Sequence, residues 1–236
     1  MKIGLIFPAG GRKSPEEEIG RYLPADLKII SRPVRFDQIS PQGLVEMGER
    51  VEQAAVELAA AGAGLVTFCC TSGSFIRGIG YDQELIARME KATGVPALTT
   101  TTAVVAALKA LKVTRLAMGT PYPDEVNEAE IRFLADSGVQ VVKAKGLGIR
   151  HPPLVSHTTP DTLWDLASTI DCPEAQALFL SCTGLIVVDL IPELEAAHGK
   201  PVITSNQATL WLILKCLERE DPISLGSLFA ATKQPK

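Results

Sequence analysis

The sequence predicts an α/β protein built as two pseudo-symmetric, doubly wound lobes with parallel sheets, the active site lying in the cleft between them. Three observations carry this reading. Short apolar runs alternate with helical patterns along the chain, the pattern starts again near residue 113, and each half contains an apolar strand that ends in Cys-Thr. Strands separated by helices pair in parallel and are covered by helices on both faces.

The elements follow in order. Ile3–Phe7 is a short apolar strand stopped by Pro8, too brief for the apolar core of a signal peptide. Leu27–Arg35 is a second strand, placed near a sheet edge because Pro33 has no N–H to donate to a ladder. Gln42–Ala61 reads as one long helix, with Leu44, Met47, Val51, Ala54, Ala55 and Leu58 recurring at helical spacing. Leu65–Cys69 is a strand, Asp82–Thr93 a helix stopped at Gly94, Ala97–Thr100 a strand and Ala103–Leu111 a helix. The second half runs strand 115–118, helix 125–136, strand 139–143, helix 162–169, strand 177–181, helix 192–197, strand 202–204 and helix 208–217.

The restart is an internal repeat. Gly94, Pro96, Thr99 and Ala103 match Gly199, Pro201, Thr204 and Ala208 at a constant offset of 105 residues. Phe68-Cys-Cys-Thr71 resembles Leu180-Ser-Cys-Thr183, and Ile6-Phe-Pro8 resembles Gly119-Thr-Pro121. The repeat divides the chain into an N-terminal lobe of 1–112 and a C-terminal lobe of 113–210. The C-terminal helical stretch 208–236 either completes the first lobe or packs on the second.

Composition narrows the function. Of 236 residues, 46% are hydrophobic and 21% charged, which describes an ordinary globular chain. A formal net charge of −4 leaves no basic excess to neutralise phosphates, so neither nucleic acid nor an anionic membrane is an expected partner. No apolar run reaches the roughly 20 residues of a membrane span. Five cysteines, an odd number with two adjacent, point to free thiols in a reducing compartment, and hence to a cytoplasmic location. The sequence holds no Walker loop and no dinucleotide fingerprint, and His151 and His157 lack a third metal ligand, so no cofactor is expected. Oligomeric state is left open.

In open parallel sheets ligands bind beyond the carboxyl ends of the strands. Both Cys-Thr segments occupy that place. A cysteine after a strand is ordinarily a small buried hydrophobe, but two at equivalent ends of a duplicated unit make a reactive pair. Cys70 and Cys182 are therefore the candidate catalytic residues. Helix N-terminal amides should favour their thiolates, and the hydroxyls of Thr71, Ser72 and Thr183 should bind a carboxylate oxygen. A pair of thiols flanking a carbon next to a carboxylate suits proton removal on one face and return on the other, or attack on an activated double bond. Tyr122, after the first strand of the second lobe, is placed to donate to an oxyanion. Cys69 and Cys216 are expected in the core.

The paired Cys-Thr turns, Thr-Pro-Tyr-Pro-Asp-Glu-Val-Asn at 120–127, Leu-Ser-Cys-Thr-Gly-Leu at 180–185 and Ser-Asn-Gln-Ala at 205–208 resemble the aspartate/glutamate racemase superfamily. Within it the chain is similar to the branch holding maleate cis–trans isomerases and arylmalonate decarboxylases. The resemblance implies a cofactor-independent enzyme whose substrate is a small carboxylate. It implies a dioxyanion pocket of Thr71, Ser72, Tyr122, Thr183 and Gly184, with Pro8 in the adjoining loop. Cys182 matches the cysteine common to both kinds of enzyme. Cys70 matches one found in maleate isomerases and racemases, where arylmalonate decarboxylases carry glycine. The loop Pro8-Ala-Gly-Gly11 is nearer the decarboxylase pattern, and the asparagine of the isomerases is missing around Val155-Ser-His157. The leading expectation is an isomerase or racemase acting at the carbon α to a carboxylate. The alternatives are a malonate-type decarboxylase using Cys182 as proton donor, and a non-catalytic carboxylate-binding or thiol redox-sensing protein. Selectivity is expected from the loops Pro8–Gly11, Phe36–Gln42 and His151–His157.

Overall fold

A computed structural model describes residues 1–10 and 14–231. Gly11, part of the expected Pro8–Gly11 loop, and 232–236, the end of the expected C-terminal helical stretch, lie outside the described residues. The first half contains β1 (Lys2–Pro8), α1 (Ser14–Tyr22), β2 (Lys28–Val34), α2 (Pro41–Gly48), α3 (Val51–Ala60), β3 (Ala63–Phe68), α4 (Thr71–Phe75), α5 (Tyr81–Thr93), β4 (Ala97–Thr99) and α6 (Thr100–Ala110). The second contains β5 (Arg115–Thr120), α7 (Asp124–Asp136), β6 (Gln140–Gly146), α8 (Pro152–Val155), α9 (Pro160–Ile170), β7 (Ala177–Leu180), a 3₁₀ turn at Val188–Leu190, α10 (Ile191–His198), β8 (Val202–Thr204), α11 (Ser205–Cys216) and α12 (Gly226–Ala231).

The strands form two four-stranded parallel sheets, ordered β2-β1-β3-β4 and β6-β5-β7-β8. The second order repeats the first, which is the structural form of the sequence repeat. β1 is central, so Ile3, Gly4, Leu5, Ile6 and Phe7 are all buried and the run is apolar without alternation. β2 is an edge strand, as Pro33 requires. The repeated Thr99 and Thr204 do the same work in each half: each hydroxyl accepts from the amide three residues on and starts a helix, α6 or α11. Those two helices pack on each other between the sheets, and α11 also packs on α1.

Three expectations change. The helix expected over 42–61 is two, α2 and α3, separated at Glu49 and Arg50 where Gly48 closes against Tyr81. Cys216 is exposed rather than buried, because it falls on the outer side of the last turn of α11. Helices α1, α4 and α8 add to the expected elements, and the expected helical stretch 208–236 holds two helices, α11 and α12. Among the described residues no helix is long and apolar enough to cross a membrane.

Candidate active site

The carboxyl ends of β1, β3, β5 and β7 converge on one cavity of about 530 Å³, part of it open to solvent. Of the residues expected there, Pro8, Cys70, Ser72, Tyr122, Cys182, Thr183 and Gly184 line it. Phe7, Pro15, Phe36, Ile39, Pro152 and Val155 form the apolar part of the wall. Four of these six belong to the two loops expected to set selectivity at 36–42 and 151–157.

The two thiols are held differently. Cys70 caps α4 in ordinary extended backbone, and its Sγ accepts from the Gly73 amide at 3.3 Å. Cys182 has φ 147°, a conformation that L side chains rarely adopt. Its Sγ accepts from the Gly184 amide at 3.2 Å, and its own N–H donates to Ser205 Oγ at 3.0 Å. Ser205 Oγ in turn shares a proton with Thr71 Oγ1 at 2.8 Å, so one buried serine at the start of α11 joins the two cysteine turns.

Thr71 is next to the cavity but does not line it. The Thr183 hydroxyl donates across the lobes to Cys69 O at 3.0 Å. The threonine hydroxyls thus hold the lobes together, and the groups left to meet a carboxylate are main-chain amides and the Ser72 and Tyr122 hydroxyls. The first amides of α4, at Thr71 and Ser72, have no partner within the helix. Ser72 Oγ lies 3.7 Å from Cys70 Sγ. The Tyr122 hydroxyl, from a side chain only 2% exposed, faces the Cys182 sulfur and has no conventional hydrogen-bond partner.

Electrostatics corrects one expectation. Helix amides were expected to favour the thiolates, but burial outweighs them. It pushes Cys70 up to about 12 and Cys182 up to about 11. The Gly73 amide and Ser72 hydroxyl oppose the rise at Cys70, and the Tyr122 hydroxyl and Gly184 amide oppose it at Cys182. Both thiols are protonated at neutral pH, and Cys182 is the easier to ionise. Behind it Glu130, wholly buried with Ser181 Oγ donating to Oε1 at 2.5 Å, is raised by burial to about 8 and also carries a proton. The described cavity lining contains no charged side chain. Among the described residues no cluster of His, Cys, Asp and Glu could hold a metal ion.

A family model described as arylmalonate decarboxylase matches residues 3–229. The chain belongs to the arylmalonate decarboxylase family. It is 35% identical over 211 residues to an arylmalonate decarboxylase of Bordetella bronchiseptica, covering 89% of this chain and 87% of that one. It is 28% identical over 239 residues to a maleate isomerase of Pseudomonas putida, covering 96% and 95%. Among solved structures, a liganded arylmalonate decarboxylase mutant, with one glycine changed to cysteine and one cysteine to serine, superposes with TM-score 0.89. It is 33% identical, over 97% of this chain and 98% of that one. These matches agree with the branch that the motifs resemble.

Family membership leaves α1 to be explained. This helix carries Pro15 into the cavity wall, and its polar face hides it from apolar periodicity. Ser-Pro-Glu-Glu at 14–17 was the available signal: a cap-type residue, proline at the first position and acid in the first turn. Ser205 stands in the Ser-Asn-Gln-Ala motif, and nothing local in the chain indicates that its hydroxyl joins two distant turns.

Proposed function

We propose that this family member is a cofactor-independent enzyme that moves a proton at the carbon α to a carboxylate, with Cys70 and Cys182 as the two acid/base groups. The observation that supports it is the presence of both thiols in one cavity, each on the equivalent turn of its own half, lobes 1–112 and 113–210 in our reading. Cys182, the more readily ionised, first gives its own proton to water and then, as the thiolate, takes the α-proton. The C–H electron pair moves into the carboxylate to give an enediolate. The amides at Thr71, Ser72 and Thr183, with the Ser72 and Tyr122 hydroxyls, hold its oxygens, and Pro8 closes the side of the site. Cys70 S–H then gives its proton to the opposite face. Donors of this kind contribute about 3–4 kcal/mol each in oxyanion sites.

The apolar wall argues for a substrate with one carboxylate and an apolar substituent. A second carboxylate against Phe7, Phe36 and Val155 would be buried without a partner, which costs several kcal/mol. This disfavours a maleate-like dicarboxylate and favours racemisation of an α-substituted monocarboxylic acid.

Decarboxylation of a substituted malonate is the second reading, and the family match and the resting protonation of Cys182 favour it. There the C–C bond breaks, carbon dioxide leaves with no electrons from that bond, and the enediolate takes the Cys182 proton; water restores the thiol. Cys70 has no part. A racemase exchanges the α-hydrogen of a single enantiomer in deuterium oxide, and Cys70→Ala and Cys182→Ala each lower that exchange by about 10²–10⁴-fold. A decarboxylase releases carbon dioxide from phenylmalonate, keeps that activity in Cys70→Ala and loses it in Cys182→Ala. Full activity in the double variant sinks both readings. The five free thiols fit a reducing, cytoplasmic setting.

A further inference from the structure

Two buried side chains that no step above uses fasten the backbone after Cys182. Glu18, on α1, is 2% exposed. Its Oε1 accepts from the amides of Val187 at 2.6 Å and Val188 at 2.7 Å, and its Oε2 accepts from Asn206 Nδ2 at 2.6 Å. The same Asn206 nitrogen donates to Thr183 O at 3.1 Å and approaches Leu185 O at 3.5 Å. The carboxylate therefore dictates which way the Asn206 amide faces. Turned over, its oxygen would meet a carboxylate and two carbonyls. At the other end of α1, the Tyr22 hydroxyl donates to Asp189 Oδ1 at 2.7 Å and Arg21 pairs with the same carboxylate.

The other half of the molecule supplies an internal comparison. Thr101 stands 105 residues before Asn206, and its Oγ1 donates to Thr71 O at 3.0 Å, the bond equivalent to Asn206 on Thr183. There the polar partners of Thr101 are Ser74 and Thr71, with no carboxylate, and Cys70 has unstrained backbone. The buried carboxylate accompanies only the turn whose cysteine has φ 147°. A strained conformation persists only where its surroundings hold it.

We propose that Glu18 is a positioning residue for Cys182. Through Asn206 and the amides of Val187 and Val188 it holds the 183–188 backbone, keeps the Gly184 N–H on Cys182 Sγ, and so sets the reactivity of that thiol relative to Cys70. The inference rests on Cys182 being a working thiol, as in the function proposed above. Its test reads sulfur chemistry rather than turnover, so failure of one is separable from failure of the other.

The experiment measures iodoacetamide alkylation of each cysteine in the full chain across a range of pH, resolved to single residues by fragment mass spectrometry. In Glu18→Gln the new amide nitrogen faces Asn206 Nδ2, donor against donor. Cys182 alkylation at about pH 8 is expected to slow about fivefold, the worth of one hydrogen bond to the sulfur, with its pH profile moved upward and Cys70 unchanged. Glu18→Gln with Asn206→Asp restores a bond between the two side chains but gives Thr183 O no donor, so Cys182 should stay slow. An unaltered or faster Cys182, an equal change at Cys70, or recovery in the double variant would overturn the proposal. If circular dichroism shows Glu18→Gln unfolded, Asn206→Ala is read by the same two thiols with the same expected result.

Discussion

Cys70 and Cys182 occupy equivalent places in the repeat and are chemically unequal. Both sit at a strand end, and each sulfur meets one amide and one hydroxyl, Gly73 and Ser72 at Cys70 and Gly184 and Tyr122 at Cys182. Burial raises Cys70 to about 12 and Cys182 to about 11, so the pH profile of alkylation should place the Cys182 midpoint below that of Cys70. The reverse order would show that the tyrosine does not favour the thiolate. The pairing of the thiols is visible in the chain because Cys-Thr recurs after an apolar run. Their ionisation is not, because desolvation depends on what covers them. The same holds for the threonines. The sequence shows hydroxyls beside each cysteine, but Thr71 finds Ser205 across 134 positions and Thr183 finds Cys69 across 114, which removes both from the inventory for substrate.

Among the elements, α4 is the one most tightly bound to the chemistry. It is short and wholly buried, and its third residue must be small. A Cβ at Gly73 would lie 2.6 Å from Met47 Cε, 2.8 Å from Phe68 Cζ and 3.1 Å from Cys70 Sγ. Gly73→Ala is expected to cost about 1–3 kcal/mol in denaturant unfolding, since the methionine can yield but the phenylalanine ring is packed. It should also displace the thiol and lower turnover; unchanged stability and activity would show that the turn has room. The strands and the helices α5, α6 and α11 were legible from apolar runs, glycine stops and the repeat at an offset of 105 residues. The break between α2 and α3 was not, because the helical periodicity runs through it. Helix α1 was passed over because its polar face dominates the count of apolar positions, although its start signals were present.

The whole molecule carries two buried acids whose protons couple folding to pH. Burial raises Glu18 to about 7 and Glu130 to about 8, against an ordinary value of 4.5 when the chain is unfolded. Between those values the folded state binds more protons than the unfolded one, so stability is highest near the lower limit, falls as pH rises through the window, and levels off above about 8. Thermal unfolding from acid to mildly basic pH should show this decline. Glu130→Gln should flatten it by on the order of 5 kcal/mol; a slope unchanged in that variant would place the proton elsewhere. Duplication is written in the chain as local patterns: short apolar strands, matching Gly, Pro, Thr and Ala positions, and a cysteine after each third strand. Such patterns act over a few residues, so two parallel-sheet lobes and a pair of opposed thiols could be read without coordinates. The cavity wall, the thiols' resistance to ionisation, the spent hydroxyls and the Glu18 clamp arise from atoms more than a hundred positions apart and from exclusion of water, and these exist only once the lobes have closed on each other.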